Sequence, residues 1–273
     1  MKIVYCIPDQ ENPFWRQIAS GIERKAKVEG ALLEVTGAAH DESLQTEQLQ
    51  KLLEKKPDAV MVSPIKSKTV ASVCKAIQDN GVPIVSVDQN MLPAVTASVI
   101  SGNLRGGSIA AQFLVQQLGP GKGVVHLKAE SDLENVNLRR TSFTNEIKRC
   151  GLKIVGQIQA DSSRRKAREG MQYFLSGGTP FNAVFGENDA MALGAVDVLA
   201  DHNVLPWPVI VGFDGVPEAI EAIRTGKMEA TIAQKPEDLG DKAMDTAIKI
   251  IRHQPYEKLI TVLPQLITKE DLS

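Results

Sequence analysis

A chain of 273 residues, 43% of them hydrophobic and 23% charged, can bury substantial cores and exceeds the usual size of one domain, so two lobes are expected. Its formal net charge of -2 arises from 31 Lys and Arg interleaved with 33 Asp and Glu, which leaves no basic stripe for nucleic acid and no polybasic patch for a membrane surface. Cys6, Cys74 and Cys150 are odd in number and widely spaced, a pattern of buried thiols rather than of a disulfide framework or a zinc site, and no metal or other cofactor is expected.

Residues 4–7 are apolar and read as a strand. Nothing at this start has the charged, apolar and small-residue regions of a signal peptide, and no apolar run reaches the roughly 18 residues that span a membrane. Residues 8–12 break the strand, and 13–29 have helical spacing. Asn12 as N-cap with Pro13 in the first helical position is a strong start signal, because Pro presets φ and loses no needed donor. Phe14 shares a stripe with Ile18 and Ile22, so it serves either the core or a ligand; Trp15 lies off that stripe and is the better candidate for stacking. Strand 32–36, helix 43–55, strand 59–62 ending at Ser63-Pro64, helix 67–80, strand 83–87 ending in Asp88-Gln89-Asn90, and strand 97–100 leading into Ser101-Gly102-Asn103 follow. Strands alternating with helices of about a dozen residues make right-handed βαβ units and a parallel sheet.

A second series opens with helix 106–118 and the Gly119-Pro120-Gly121 turn. Strand 123–127, helix 137–150, strand 153–158, helix 164–175 and a strand ending at 183–185 come next. Glu187-Asn188-Asp189 then separates that strand from a helix opening at Met191. Such a junction is the carboxyl edge of an open α/β sheet, where side chains and helix amino termini converge on ligands. Asn188 and Asp189 are therefore candidate contacts; helix capping is the competing role for either. Strand 209–213 runs into Asp214-Gly215, helix 217–224 follows, and strand 230–234 stops before Pro236.

Asn12-Pro13-Phe14-Trp15, Ser63-Pro64, Asp88, the Asn188-Asp189-x-Met191-Ala192-Leu193-Gly194-Ala195 run, Gly212-Phe213-Asp214-Gly215 and Ala230-Thr231-Ile232-Ala233-Gln234-x-Pro236 together resemble the sugar-binding type I periplasmic binding proteins, nearest the ribose-binding kind. The resemblance implies two doubly wound parallel-sheet lobes joined by three crossings, near Ser101, Gln234 and Leu263. One lobe would be 1–101 plus 235–262, the other 102–234 plus 263–273, with a ligand in the cleft between them and hinge bending to close it. It further implies a periplasmic or extracytoplasmic location, with a signal peptide or anchor outside this sequence, and a monomer that delivers a sugar-like ligand to the membrane permease of an ABC importer.

Sugars present apolar C–H faces and a rim of hydroxyls, each both donor and acceptor, so aromatics suit the faces and planar Asp, Asn, Gln and Arg side chains suit neighbouring hydroxyls. Carried over by position, Asn12, Phe14, Trp15, Ser63, Asp88, Gln89, Asn137, Arg139, Asn188, Asp214 and Gln234 are the expected ligand contacts. Asp214 is otherwise a turn residue before Gly215, and Gln234 otherwise a hinge residue. Gln89 and Asn137 stand where the ribose pattern has Arg, and Ser162 where it has an aromatic. Loss of two guanidinium forks argues against ribose itself. Glu130, Asp132 and Glu134 lie in a slightly longer loop, with Lys66 just beyond Ser63-Pro64; a loop carboxylate meets either solvent or an amino group on the ligand.

Two other functions share the fold: the sensing domain of a membrane receptor kinase, and the effector-binding core of a repressor, whose DNA reader would need basic residues this chain does not cluster. Catalysis is not expected. Asp88 and Asp214 are one carboxylate pair to weigh for glycoside hydrolysis, but His40, His126, His202 and His253 lie at no motif junction beside a nucleophile, and no G-x-S-x-G or metal-ligand spacing is present.

Overall fold

The computed structural model describes residues 1–130 and 133–272. In chain order its elements are β1 (Lys2–Ile7), α1 (Pro13–Glu29), β2 (Leu32–Gly37), α2 (Glu42–Lys55), β3 (Ala59–Val62), α3 (Ser67–Asp79), β4 (Ile84–Asp88), β5 (Ala97–Ser101) and α4 (Asn103–Leu118). They continue as β6 (Gly123–Lys128), α5 (Glu134–Arg149), β7 (Lys153–Gln159), α6 (Arg164–Ser176), β8 (Ala183–Gly186), α7 (Asp189–Asp201), β9 (Val209–Asp214) and α8 (Pro217–Arg224). The last are β10 (Ala230–Ala233), α9 (Pro236–Ile251), β11 (Leu259–Val262) and β12 (Gln265–Thr268). The chain divides into two compact units, Met1–Ser101 with Lys235–Val262, and Gly102–Gln234 with the segment from Leu263 onward.

The first unit is a six-stranded sheet in the order β11-β5-β4-β3-β1-β2, with every pairing parallel. Alternation along β1 divides its side chains between two layers. Ile3, Tyr5 and Ile7 join the core under α1 and α9, while Val4 and Cys6 join the core under α2 and α3. A doubly wound sheet results, because each face needs its own helices to leave water.

Helices α1 and α9 meet through glycines. A β-carbon on Gly21 would stand 2.2 Å from the Glu237 carbonyl oxygen, and one on Gly240 would stand 2.0 Å from that of Ile18. Gly240→Ala is therefore expected to lower the stability of this unit by about 2 kcal/mol, since an added methyl against backbone forces the helices apart. Urea unfolding checks it, and an unchanged midpoint would mean that the helices do not pack this closely.

The second unit repeats the plan in the order β12-β10-β9-β8-β6-β7. Helices α6, α7 and α8 cover one core, α4 and α5 the other. Its sheet departs from a wholly parallel one: β12 pairs antiparallel with β10.

Several boundaries differ from the sequence reading. Helix 106–118 starts earlier, at Asn103, and helix 137–150 starts at Glu134, so Glu134 belongs to the first turn of α5 rather than to a loop, where a carboxylate favours the helix dipole. Helix α9 and strands β11 and β12 are additional to the elements read from the sequence. Among the described residues Cys6, Cys74 and Cys150 are free thiols; the first two are buried, but Cys150 is half-buried, as the C-cap of α5. Burial pushes the Cys6 thiol up to about 11 and Cys74 up to about 12, so neither supplies thiolate near neutrality.

Candidate functional site

Each unit carries polar residues at the carboxyl edge of its sheet, where the order 2-1-3-4-5 places a ligand in α/β folds. In the first unit, Asn12 caps α1 as its sequence predicts: Oδ1 accepts the Phe14 backbone N–H at 2.9 Å, ahead of Pro13. The Phe14 and Trp15 rings, both half-buried, meet edge to face with centroids 4.9 Å apart. Both also pack on the core beneath α1, so Trp15 is less detached from the apolar stripe than its spacing suggests. Asp88 ends β4 at a φ of 76° and is only 5% exposed. Positive φ is uncommon outside glycine, Asp being among the residues that adopt it, and such backbone concentrates at ligand-binding and switch regions.

Two residues expected at this edge are turned to other work. Ser63 is fully buried, with its hydroxyl 2.7 Å from that of Tyr5, so it serves the core rather than a ligand. Gln89 is a brace: its Oε1 accepts from the Ser67 hydroxyl at 2.5 Å and its Nε2 donates to the Pro64 carbonyl at 2.9 Å. Its amide thereby ties the β3–α3 turn instead of replacing a guanidinium fork. Lys66, beyond the same turn, pairs with Glu42 at 2.9 Å.

In the second unit Asp214 ends β9 at a φ of 127°. The Gln234 side chain donates to Asp214 Oδ1 at 2.8 Å, and the Gln234 backbone N–H donates to the Asp214 carbonyl at 3.1 Å. Gln234 Oε1 is buried and has no hydrogen-bond partner among the described residues. Burial raises the Asp214 carboxyl above its ordinary range, against the opposing pull of the Arg139 guanidinium and of Gln234.

Arg139 is 4% exposed. Its guanidinium lies over the Phe213 ring, 3.3 Å from the centroid, and donates through Nε and Nη2 to Asn103 Oδ1 at 3.1 and 2.7 Å and through Nη1 to the Glu187 carbonyl. This unit therefore retains a cation beside Asp214 although Asn137 is not an arginine. Asn137 itself accepts from Arg140 Nη1 at 3.0 Å. Asn188 does what the capping alternative describes, its Oδ1 accepting the Met191 backbone N–H at 2.9 Å, while its Nδ2 donates to the Ser162 carbonyl at 3.2 Å. Ser162 in turn donates to the Glu130 carboxylate. Asp132 lies outside the described residues.

Asp189, a candidate contact or helix cap from its sequence position, is a buried brace in the structure. It is fully buried, with Thr231, Gly215 and Val216 donating to its carboxylate. Burial and the neighbouring Asp214 push its carboxyl up to about 7. Sequence reasoning also missed Asn103, whose signal was its place two residues after strand β5 at the start of α4, and the set of buried Glu187 and His126 with half-buried Arg140. Glu187 had a signal in the polar cluster before α7, but His126 and Arg140 had none: the pairing of β6 with β8 brings His126 near it, and Arg140 reaches it from α5.

The comparisons with known proteins bear on the whole chain. It is 32% identical to a ribose import binding protein of Bacillus subtilis over 262 residues, 95% of this chain and 84% of that one. It is 28% identical to a D-allose-binding periplasmic protein of Escherichia coli, across 84% of this chain and 78% of the relative. Among solved structures, a periplasmic solute binding protein of an ABC transporter from Actinobacillus succinogenes, with bound D-allose, superposes at a TM-score of 0.90 with 25% identity, covering 98% of each chain. The periplasmic binding protein domain profile matches residues 3–255, and the chain belongs to that family.

Proposed function

We propose that this protein binds a small, uncharged, polyhydroxylated ligand, a sugar or sugar-like ring, without converting it, and serves as the solute-binding component of an ABC importer, handing the ligand to a membrane permease. The observation that carries this reading is a repeated one. Asp88 and Asp214 each end the fourth strand of their unit's sheet in chain order, and each is held at positive φ. Carboxylates accept hydroxyl protons in strong charge-assisted bonds. Gln234 Oε1 adds a buried acceptor that a ligand hydroxyl would satisfy.

Asn12 and Asn188 offer amide donors, and Phe14 and Trp15 offer faces for C–H groups. Family membership gives a periplasmic or extracellular location. The relatives' names, with ribose import and D-allose binding among them, favour a pentose or hexose. Gln89 as a brace and Asn137 in place of arginine favour a ligand that needs few guanidinium contacts.

A thermal-shift screen of ligand-stripped protein against pentoses, hexoses, cyclic polyols and aminosugars tests the reading. A ligand at about 100 times its Kd stabilises by roughly 2.7 kcal/mol, and the expected rise in Tm is about 5 to 10 °C for a chain of this size. A flat response across the panel would overturn the sugar assignment. An aminosugar preferred over its parent sugar would place Glu130 at the ligand.

A further inference from the structure

We propose that Asp189 is the positioning residue for the ligand-facing carboxylate Asp214, its buried side chain clamping the turn after Asp214 and its backbone N–H holding the Asp214 carboxylate. The inference rests on the sugar-binding reading only for its consequence on affinity; the clamp itself is a property of the unliganded protein.

The geometry is reciprocal. Asp189 opens α7 and Asp214 closes β9. From below the turn, Asp189 Oδ2 accepts the backbone N–H of Gly215 at 2.7 Å and of Val216 at 2.9 Å, while Oδ1 accepts the Thr231 hydroxyl at 2.7 Å. These are the two residues that follow the strained Asp214 backbone. The Asp189 N–H in turn hydrogen-bonds the Asp214 carboxylate. Space for the carboxylate exists because position 212 is glycine: a β-carbon there would stand 2.1 Å from Asp189 Oδ1. A side chain with three donors and no exposure is more than a helix cap, since a cap needs only the N–H groups of its own first turn.

Two neighbouring buried carboxylates do not both ionise easily. Asp189 faces Asp214 from the end of β9 and neutral Thr231 from β10, whereas Asp214 has the Arg139 guanidinium of α5 acting on it. Burial raises both carboxyls, and at Asp214 the Arg139 guanidinium opposes that rise, while the Thr231 hydroxyl and the two backbone N–H groups oppose it at Asp189.

The test compares Asp189→Ala and Thr231→Val with the wild-type chain. Backbone amide exchange and carboxyl 13C titration are followed without ligand, and affinities for D-ribose, D-allose and myo-inositol are followed by calorimetry. Asp189→Ala removes both acceptor oxygens, so the Gly215 and Val216 amides should exchange at least about 10-fold faster than the rest of the unit. The near-neutral carboxyl titration should disappear, and affinity for whichever probe binds the wild type should fall at least about 10-fold. Thr231→Val keeps both bonds to Asp189 Oδ2, losing the longer Gly215 N–H contact to the Thr231 hydroxyl at 3.3 Å and a bond that favours the ionised form of Asp189. The two amides should then stay protected, while the Asp189 titration moves above about 7; this variant decides the matter if Asp189→Ala does not fold. Exchange that rises uniformly across the unit, or a titration unmoved in Thr231→Val, would overturn the proposal. Wild-type protein that binds none of the probes would sink the sugar reading, with exchange and titration still deciding the role of Asp189.

Discussion

Asp214→Asn lowers affinity for the best-bound sugar by about 100-fold or more. The expectation follows from what the substitution leaves in place. Asparagine keeps the shape of aspartate and tolerates positive φ better than most residues, so the backbone at 127° is not the point of failure. One carboxylate oxygen becomes an NH2, which either confronts the Gln234 Nε2 donor now 2.8 Å from Oδ1 or faces ligand hydroxyls as a donor only. Hydrogen bonds to a charged acceptor are worth about 1.5 to 3 kcal/mol each. Losing two to a pair of adjacent hydroxyls thus costs about 3 kcal/mol or more, where 1.4 kcal/mol is tenfold. Calorimetry on the hit from the sugar screen reads this directly. A loss under about threefold would mean that Asp214 is a turn residue and that its strain serves the fold alone.

The alternating elements were legible because each junction carries its own chemistry: Asn12-Pro13 starts α1, and Asp214-Gly215 turns the chain after β9. Helix α9 was as well signalled, with Pro236 in its first turn and Glu237 and Asp238 beside it, but its start coincides with Gln234 and Lys235, where the motif reading stopped. Strands β11 and β12 have four residues each, as β3, β8 and β10 do, but none of their residues is fully buried, so they lack the strong strand signal of those buried runs. Residue type and position put Asp88, Asp214 and Gln234 at the carboxyl edges because each ends or directly follows a strand. They do not show how the Ser63 hydroxyl and the Gln89 amide are engaged, since that depends on partners far away in sequence. Tyr5 takes the first, 58 residues distant, and Ser67 and Pro64 take the second. Asp189 shows the same limit: adjacency to Asn188 is visible in the sequence, but adjacency to Thr231, 42 residues on, exists only once β9 and β10 pair.

A buried ion cluster under this edge supplies the second large effect: Glu187→Gln is expected to destabilise the second unit by about 3 to 5 kcal/mol at neutral pH, the usual cost of leaving a buried charge without its partner. Glu187 is fully buried. Arg140 donates to it through Nε at 2.8 Å and Nη2 at 2.7 Å, the Ala129 backbone N–H donates at 2.7 Å, and His126 Nε2 lies 2.8 Å away. Burial alone would raise this carboxyl, yet the contacts from His126, Arg140 and Ala129 outweigh it and hold it below its ordinary value. A carboxylate whose folded pKa is depressed contributes stability above its unfolded pKa and loses it as pH falls through the folded pKa. The difference between wild type and Glu187→Gln should therefore be full near pH 7, where it lowers Tm by about 10 °C or more, and should shrink once the medium is acid enough to protonate Glu187 in the folded wild type. Because Arg140 also holds the Ala129 and Glu130 carbonyls, the same substitution should loosen the loop carrying Glu130. Thermal unfolding measured across that pH range separates an ionic role from a packing one. An equal loss at neutral and acid pH would mean that shape, and not charge, makes Glu187 matter.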